Sequence, residues 1–139
     1  REYRAVVHGN LKEDTGTISA PIGRNPKDRK KMAVTDKNSR DATTHFEVIE
    51  RFDGYTYIKC RLETGRTHQI RVHMAYIGHP VAGDLVYGPK NTPTVLRGQC
   101  LHAGLIGFKH PRNGEYIELE APIPEYFEKF VRKLENLRR

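Results

Sequence analysis

The sequence predicts a single β-rich α+β domain that contains two helices. Segments in which apolar and polar residues alternate, typical of half-buried strands, occupy much of the first half of the chain. Asp53-Gly54 and Asn113-Gly114 each supply a dipeptide that favours a tight hairpin turn. A length of 139 residues suits one domain, and we expect residues 1–139 to form one.

The first predicted strand carries Tyr3, Ala5 and Val7 on one face, because polar and apolar residues alternate there. The next predicted elements are, in order, a polar turn over 11–16, an extended segment over 18–23, a long basic loop over 24–40 and a strand over 42–51. A hairpin follows at Asp53-Gly54. Its return strand places three apolar side chains on one face: Ile58, Cys60 and Leu62.

Three apolar residues with helical spacing predict a short helix over 68–77: Ile70, Met74 and Ile77. Thr67 is suited to cap its first turn, since a hydroxyl can accept a hydrogen bond from a free amide. Gly78 and Pro80 would end the helix. Residues 79–99 are rich in glycine and proline, so we expect mostly loop there.

The last part of the chain predicts a hairpin followed by an amphipathic helix. Residues 104–110 and 116–121 would pair around the turn at 111–114. Pro124 is suited to the first turn of a helix. The apolar face of that helix consists of Phe127, Phe130, Val131, Leu134 and Leu137.

Charge indicates a polyanionic partner. Lys and Arg number 24 against 17 Asp and Glu, so the net charge is +7. Seven bases and two acids lie between Arg24 and Arg40. A run of this kind is compatible with a solvated loop and with a phosphate-binding surface, and the run alone leaves both open.

Composition excludes several classes of protein. Hydrophobic residues make up 37% of the chain, too many for a disordered tail, and the apolar runs are too short for a membrane span. Cys60 and Cys100 lie far apart, which disfavours a disulfide framework or a zinc site and fits a reducing cytoplasm. His68 and His73 would not share one face of a helix, so we expect no metal site there.

Three polar side chains are candidates for chemistry, and each has a structural alternative. Arg71 sits between Ile70 and Val72, so it would be partly buried and need an anionic partner, in a structural ion pair or a functional one. Tyr3 would pack in the core or stack on a nucleobase. Asp84 would orient a neighbouring group or cap a turn.

The segment 61–74, RLETGRTHQIRVHM, resembles the signature of the RluA family of RNA pseudouridine synthases, and the chain looks similar to the large-ribosomal-subunit members from residue 3 to about residue 130. Four further blocks match in order: Tyr3 to Gly9, Pro21 to Arg24 with Lys31-Met32, Gly78 to Pro80 with Gly83-Asp84 and Tyr87-Gly88, and Leu101 to Ala103, before a closing Ala121-Pro122. The resemblance implies an α+β fold with a mixed, mainly antiparallel sheet and flanking helices.

The resemblance also implies a reaction and roles. Family members isomerise uridine in RNA to pseudouridine without cofactor or metal: an aspartate attacks the nucleotide, the glycosidic bond breaks, and the base rotates and rejoins through carbon. Arg71 would pair with that aspartate, and Tyr3 would stack on the base. Ile70 and Leu101 would wall the uracil pocket, and further substrate contacts would come from Arg66, His68 and Arg24. The RNA would be ribosomal or, as a second possibility, transfer RNA.

One departure from the family concerns the nucleophile. It belongs to a His-Arg-Leu-Asp segment that this sequence does not contain. We therefore expect the chain to be the C-terminal part of a catalytic domain, with Arg71 lacking its partner, Asp84 structural, and apolar surface that favours self-association. The alternative hypothesis is a non-catalytic RNA-binding module that keeps the synthase fold.

Overall fold

The computed structural model describes residues 2–91, 98–109 and 111–137, with the side chains of 106–109 and 117 left aside. The strands are β1 (Glu2–His8), β2 (Thr15–Ser19), β3 (Ile22–Arg24), β4 (Met32–Val34), β5 (Ser39–Arg40), β6 (Thr43–Phe52), β7 (Tyr55–Leu62), β8 (Leu101–Lys109) and β9 (Tyr116–Glu120). The two helices are α1 (Gln69–Tyr76) and α2 (Glu125–Leu137).

Six strands form the main sheet in the order β2-β6-β7-β1-β8-β9. Each pairing among the described strands is antiparallel, so the predicted α+β class with a mainly antiparallel sheet is confirmed. The mixed character implied by the resemblance does not appear among those strands. Phe52 pairs with Tyr55 across the Asp53-Gly54 turn, where Gly54 takes a φ of 79°, and this confirms the predicted hairpin.

Each helix covers one face of the sheet, because the strands alternate their apolar side chains between the two faces. On the α1 side the core includes Ala5, Val7, Phe46, Ile58, Cys60, Ile70 and Met74. On the α2 side it includes Val6, Phe52, Cys100, Phe127, Phe130 and Leu134. The apolar face of α2 ends at Leu134, and Leu137, predicted to share that face, is 71% exposed.

The basic run over 24–40 is not the long loop that its charge predicts. It contains β4 and β5, which pair on either side of β3 in a second, three-stranded sheet. Ile22, Ala42 and Val72 form a small buried cluster against this sheet, with Met32 and Val34 packed on it. Burial of these few apolar side chains stabilises this sheet, although β4 has only three residues and β5 only two.

Two further local predictions were wrong in part. β2 begins at Thr15, inside the segment predicted as a turn, and Ala20 and Pro21 separate it from β3. Thr67 does not cap α1. The residue at the N-cap is His68, in the left-handed region at φ 56° and ψ 26°, with no side-chain capping bond. The helix ends as predicted, before Gly78, whose φ is 87°.

Both cysteines are buried free thiols, Cys60 in the core beneath α1 and Cys100 in the core beneath α2. Burial raises the pKa of each thiol to about 12, so both stay protonated. Neither helix in the described part of the chain is long and apolar enough to cross a membrane.

Candidate functional site

A pocket of about 330 Å³ opens on the α1 side of the main sheet, where β1, β7 and β8 meet the start of α1. Six of the seven predicted site residues line it: Tyr3, Arg66, His68, Ile70, Arg71 and Leu101. Its other lining residues are Leu62, Gly65, Gln69 and Gln99. These residues come from three separate stretches of the sequence, and the sheet brings them together.

Tyr3, Ile70 and Leu101 give the pocket an apolar part. Tyr3 lies on β1 opposite Cys60 of β7 and Ala103 of β8, so both neighbouring strands fix its position. Ile70 is 3% exposed in the first turn of α1, and Leu101 opens β8. Tyr3 and Leu101 are half-buried against the same core, which leaves part of each side chain for a ligand.

Gln69 organises the loop that carries Arg66 and His68. Its side-chain oxygen accepts hydrogen bonds from the Thr64 hydroxyl at 2.7 Å and from the backbone N–H of Arg66 at 3.0 Å. Its amide nitrogen donates to the backbone oxygen of Thr43 and to the hydroxyl of Thr44, both at 3.0 Å. Since Gln69 is buried and fully hydrogen-bonded, it fixes the loop against β6.

Arg71 and Asp84 form a bidentate ion pair beside the pocket. Arg71 Nε donates to Asp84 Oδ2 at 2.8 Å, and Nη2 donates to Oδ1 at 3.0 Å. The side chain of Asp84 is 0% exposed and that of Arg71 is 11% exposed. Of the two alternatives that the sequence left open for Arg71, the structural ion pair is therefore present, with Asp84 as its partner.

The pair keeps the carboxylate ionised. Burial alone would raise the pKa of Asp84, but hydrogen bonds from Arg71 and from the backbone N–H groups of Tyr87 and Val86 outweigh it, so the pKa is lowered. The same hydrogen bond raises the pKa of Arg71. Arg71 Nη1 has no hydrogen-bond partner in the described part of the chain, so Arg71 retains a donor for a second acceptor.

His68 and His73 have separate partners, in agreement with their predicted positions on different faces. His73 is fully buried, with Nδ1 at 2.8 Å from the hydroxyl of Thr44 and Nε2 at 2.9 Å from the backbone oxygen of Ala20. His68 is exposed, and its Nδ1 lies 2.8 Å from the hydroxyl of Tyr87. Among the described residues no group of three or more His, Cys, Asp or Glu is placed to hold a metal ion.

Arg24 is the predicted site residue that the structure places elsewhere. It ends β3 in the small sheet, outside the pocket lining, and its Nη1 donates to the backbone oxygen of Arg29 at 3.0 Å. Gln69 and Tyr87 are the contributors that sequence reasoning missed. Both lie within segments that matched the family, so the signal was present, but their roles depend on contacts with distant residues such as Thr43 and Met32.

Comparisons with known proteins agree on one family. A family model described as RNA pseudouridylate synthase matches residues 1–76. An uncharacterized RNA pseudouridine synthase of Bacillus subtilis is 58% identical over 139 residues, which is all of this chain and 44% of that protein. The ribosomal large subunit pseudouridine synthase D of Xanthomonas campestris is 50% identical over 146 residues, covering 96% of this chain and 44% of that protein.

The fold comparison agrees with these sequence matches. The solved structure of human RNA pseudouridylate synthase domain containing 1 superposes with a TM-score of 0.77 at 28% identity, over 96% of this chain and 64% of that one. By the sequence matches, the chain spans less than half the length of the two curated relatives named above.

Proposed function

Since the chain belongs to the RNA pseudouridylate synthase family, we propose that the full-length protein isomerises uridine in RNA to pseudouridine in the pocket beside α1. Family membership confirms the resemblance drawn from segment 61–74. The observation that supports the proposal most is the shared pocket, because it brings Tyr3, Arg71 and Leu101 together from positions far apart in sequence.

Arg71 is proposed to hold and orient the nucleophilic aspartate supplied by another part of the protein. Asp84 occupies Nε and Nη2 of Arg71, which fixes the guanidinium plane and leaves Nη1. A fixed cation beside a carboxylate favours its ionised form, which is the form that attacks. Asp84 would thus be a structural support for Arg71.

The apolar part of the pocket is proposed to receive the target base. Tyr3 offers an aromatic ring on which a uracil would stack, and Ile70 and Leu101 would exclude water from its other sides. A base buried in this way must first leave its own stack, so we propose that the enzyme flips the nucleotide out of the RNA. Arg66 and His68, at the rim, would contact the flanking backbone.

The proposed partner is ribosomal RNA, with transfer RNA as the second choice. The printed name of the Xanthomonas relative supports the ribosomal substrate. Arg24 and four exposed or half-exposed bases of the β3–β4 connection would contact phosphates: Lys27, Arg29, Lys30 and Lys31. We propose that the reaction needs no cofactor and takes place in the cytoplasm.

Substitution of Arg71 tests the proposed site. We expect Arg71→Ala to lower turnover by the full-length protein at least ~100-fold, because the nucleophile loses its charge partner. Arg71→Lys keeps a charge but loses the fork geometry, so its loss should be smaller. Turnover is measured as pseudouridine formed in large-subunit ribosomal RNA taken from cells that lack the gene.

The control for Arg71 is Arg132→Ala on the exposed side of α2, where the arginine pairs, among the residues that the structure describes, only with Glu128 of the same helix. This variant should retain turnover, and circular dichroism should show that all three variants fold. Undiminished turnover in Arg71→Ala would refute the assigned role. RNA binding without conversion by the unmodified full-length protein would favour the non-catalytic module.

A further inference from the structure

The hydroxyl and the ring of Tyr87 make three specific contacts with residues from two different parts of the structure. Its hydroxyl oxygen accepts a hydrogen bond from the backbone N–H of Met32 at 3.0 Å. The same hydroxyl lies 2.8 Å from Nδ1 of His68. The guanidinium carbon of Arg71 stands over the ring at 5.0 Å from its centroid, within the range of a cation–π contact.

The hydrogen-bond directions at the Tyr87 hydroxyl follow from its donors. Met32 has only an N–H to give, so the phenol oxygen is the acceptor there. The phenol proton is then free to be donated to Nδ1 of a neutral His68. Although His68 is an exposed residue, desolvation of its ring and then the positive charge of Arg71 lower its pKa, which agrees with a neutral ring.

Met32 is the first residue of β4, directly after the basic hairpin loop 25–31. That loop is preformed: Asn25 Oδ1 accepts hydrogen bonds from the backbone N–H groups of Lys27 and Asp28, and the N–H of Asn25 donates to the oxygen of Lys31 at 2.9 Å. The lysine and arginine side chains of the loop are therefore held on a defined hairpin, and the residue where the loop ends, Met32, contacts Tyr87.

His68 and Arg71, the other two partners, line the pocket, whereas Tyr87 itself does not. The backbone of Tyr87 is fixed as well, since its N–H donates a hydrogen bond to the buried carboxylate of Asp84 at 3.1 Å. One side chain thus joins the base of the basic hairpin to two residues of the pocket wall.

We infer that Tyr87 is a positioning residue that couples the basic hairpin to the pocket, so that phosphate binding on the hairpin and base binding in the pocket occur in a fixed relative geometry. The inference rests on the proposed function, in which the hairpin and the pocket contact the same RNA. Tyr87 acts through Met32, His68 and Arg71, without touching the base.

The first experiment measures steady-state kinetics on the full-length protein with Tyr87→Phe. This variant keeps the ring over Arg71 and removes only the hydroxyl. We expect KM for the RNA to rise roughly three- to tenfold, because the hydrogen bonds of the hydroxyl to Met32 and His68 are both lost, while kcat stays within about twofold. Tyr76→Phe is the matched control, because Tyr76 is 61% exposed on α1 and should show neither change.

A double-mutant cycle separates coupling from simple loss of stability. Lys27→Gln with Lys30→Gln removes two charges from the hairpin and should raise KM in the unmodified protein. In the Tyr87→Phe background the same two lysine substitutions should raise KM by less than about half that factor, because the hairpin has already lost its hydrogen bond to Tyr87. Additive effects on KM, or a Tyr87→Phe defect confined to kcat, would overturn the inference.

The second experiment does not depend on activity. Amide hydrogen exchange resolved at Met32 by NMR should accelerate in Tyr87→Phe by about the same three- to tenfold factor and stay unchanged in Tyr76→Phe. Unchanged exchange at Met32 in Tyr87→Phe would refute the coupling even if the enzyme is active. Faster exchange in a protein that makes no pseudouridine would instead retain the coupling and reject the proposed function.

Discussion

His73 shows how a single buried side chain acquires a fixed protonation state. Thr44 Oγ1 accepts a hydrogen bond from the amide of Gln69, so its own hydrogen points to Nδ1 of His73. The remaining ring nitrogen, Nε2, then carries the hydrogen that is donated to the backbone oxygen of Ala20. Burial lowers the pKa of the imidazole, and a proton added at Nδ1 would oppose the hydroxyl hydrogen of Thr44.

This arrangement predicts a stability that depends on pH. The unfolded chain protonates His73 near its ordinary pKa of 6.5, whereas the folded protein keeps it neutral to lower pH. The contribution to stability is therefore fully present above that value and is lost as the pH falls through the lower, folded pKa. In urea titrations from about pH 7.5 to about pH 5, His73→Gln should make the loss of unfolding free energy with acid shallower.

The matched control is Thr44→Ser, which retains the hydroxyl beside Nδ1 and should keep the full slope. An equally steep slope in His73→Gln and in the unmodified protein would contradict the assignment of the effect to this residue.

At the scale of elements, the connection between β7 and α1 shows why local sequence patterns locate an element better than its exact boundary. Residue spacing predicted α1 almost in full. It placed the cap at Thr67, however, because a hydroxyl before a helix is a good local signal. In the structure the side chain of Gln69 binds the Arg66 N–H instead, anchored on Thr43 and Thr44 some 25 residues earlier. No local window contains that partner.

The β3–β4–β5 sheet was not predicted for the same reason, because its contacts are also distant in sequence. Its strands are short and lie in a run of charges, so the local pattern predicts a loop. In the structure the sheet is stabilised by an apolar cluster that includes Ile22 and Val72, which lie 50 residues apart in sequence. The candidate site was predicted better, since six of its residues lie in segments that matched one family. What could not be predicted is the pairing of Arg71 with Asp84, which depends on the path of the intervening loop.

Removal of the Gln69 side-chain amide tests how the β7–α1 connection is held. Gln69→Leu preserves much of the volume but removes one hydrogen bond each from the buried Thr44 and from the half-buried Thr43 and Thr64. We expect a loss of about 1–3 kcal/mol in unfolding free energy and a weakened pocket, since Arg66 and His68 lie on this loop. Urea titration and RNA affinity measure the two effects.

The comparison variant for Gln69 is Thr64→Val, which removes one of the four hydrogen bonds of Gln69 and the bond that the Thr64 hydroxyl accepts from the N–H of Thr43, two in all, and should cost less. Equal stability of Gln69→Leu and the unmodified protein would show that the loop is held by other contacts.

At the scale of the whole molecule, the sheet is covered on both faces, but its outer strand β9 is an edge with exposed apolar side chains. Tyr116 is 66% exposed and Leu119 is 56% exposed on that strand. An apolar edge strand favours pairing with another chain. This surface supports the proposal that the 139-residue chain alone self-associates. Analytical ultracentrifugation of that chain would measure its oligomeric state, and circular dichroism would check that it is folded.

The distribution of aspartates predicts that the same isolated chain makes no pseudouridine. None of its six aspartates, all in the described part of the chain, lines the pocket. The one beside it, Asp84, has no exposed side-chain surface and is held by Arg71 and by the N–H groups of Val86 and Tyr87. A carboxylate enclosed in this way does not face a nucleotide bound in the pocket, so under the proposed function we expect the nucleophile to come from another part of the protein.

The assay compares pseudouridine formed in ribosomal RNA by the folded 139-residue chain and by the full-length protein at equal concentration. The chain should give no product above background, and the full-length protein should convert a defined uridine. Product from the chain that disappears in Asp84→Asn would identify Asp84 as the nucleophile. In that case the buried pair with Arg71 would have to open during the reaction, and its assignment as a structural support would be wrong.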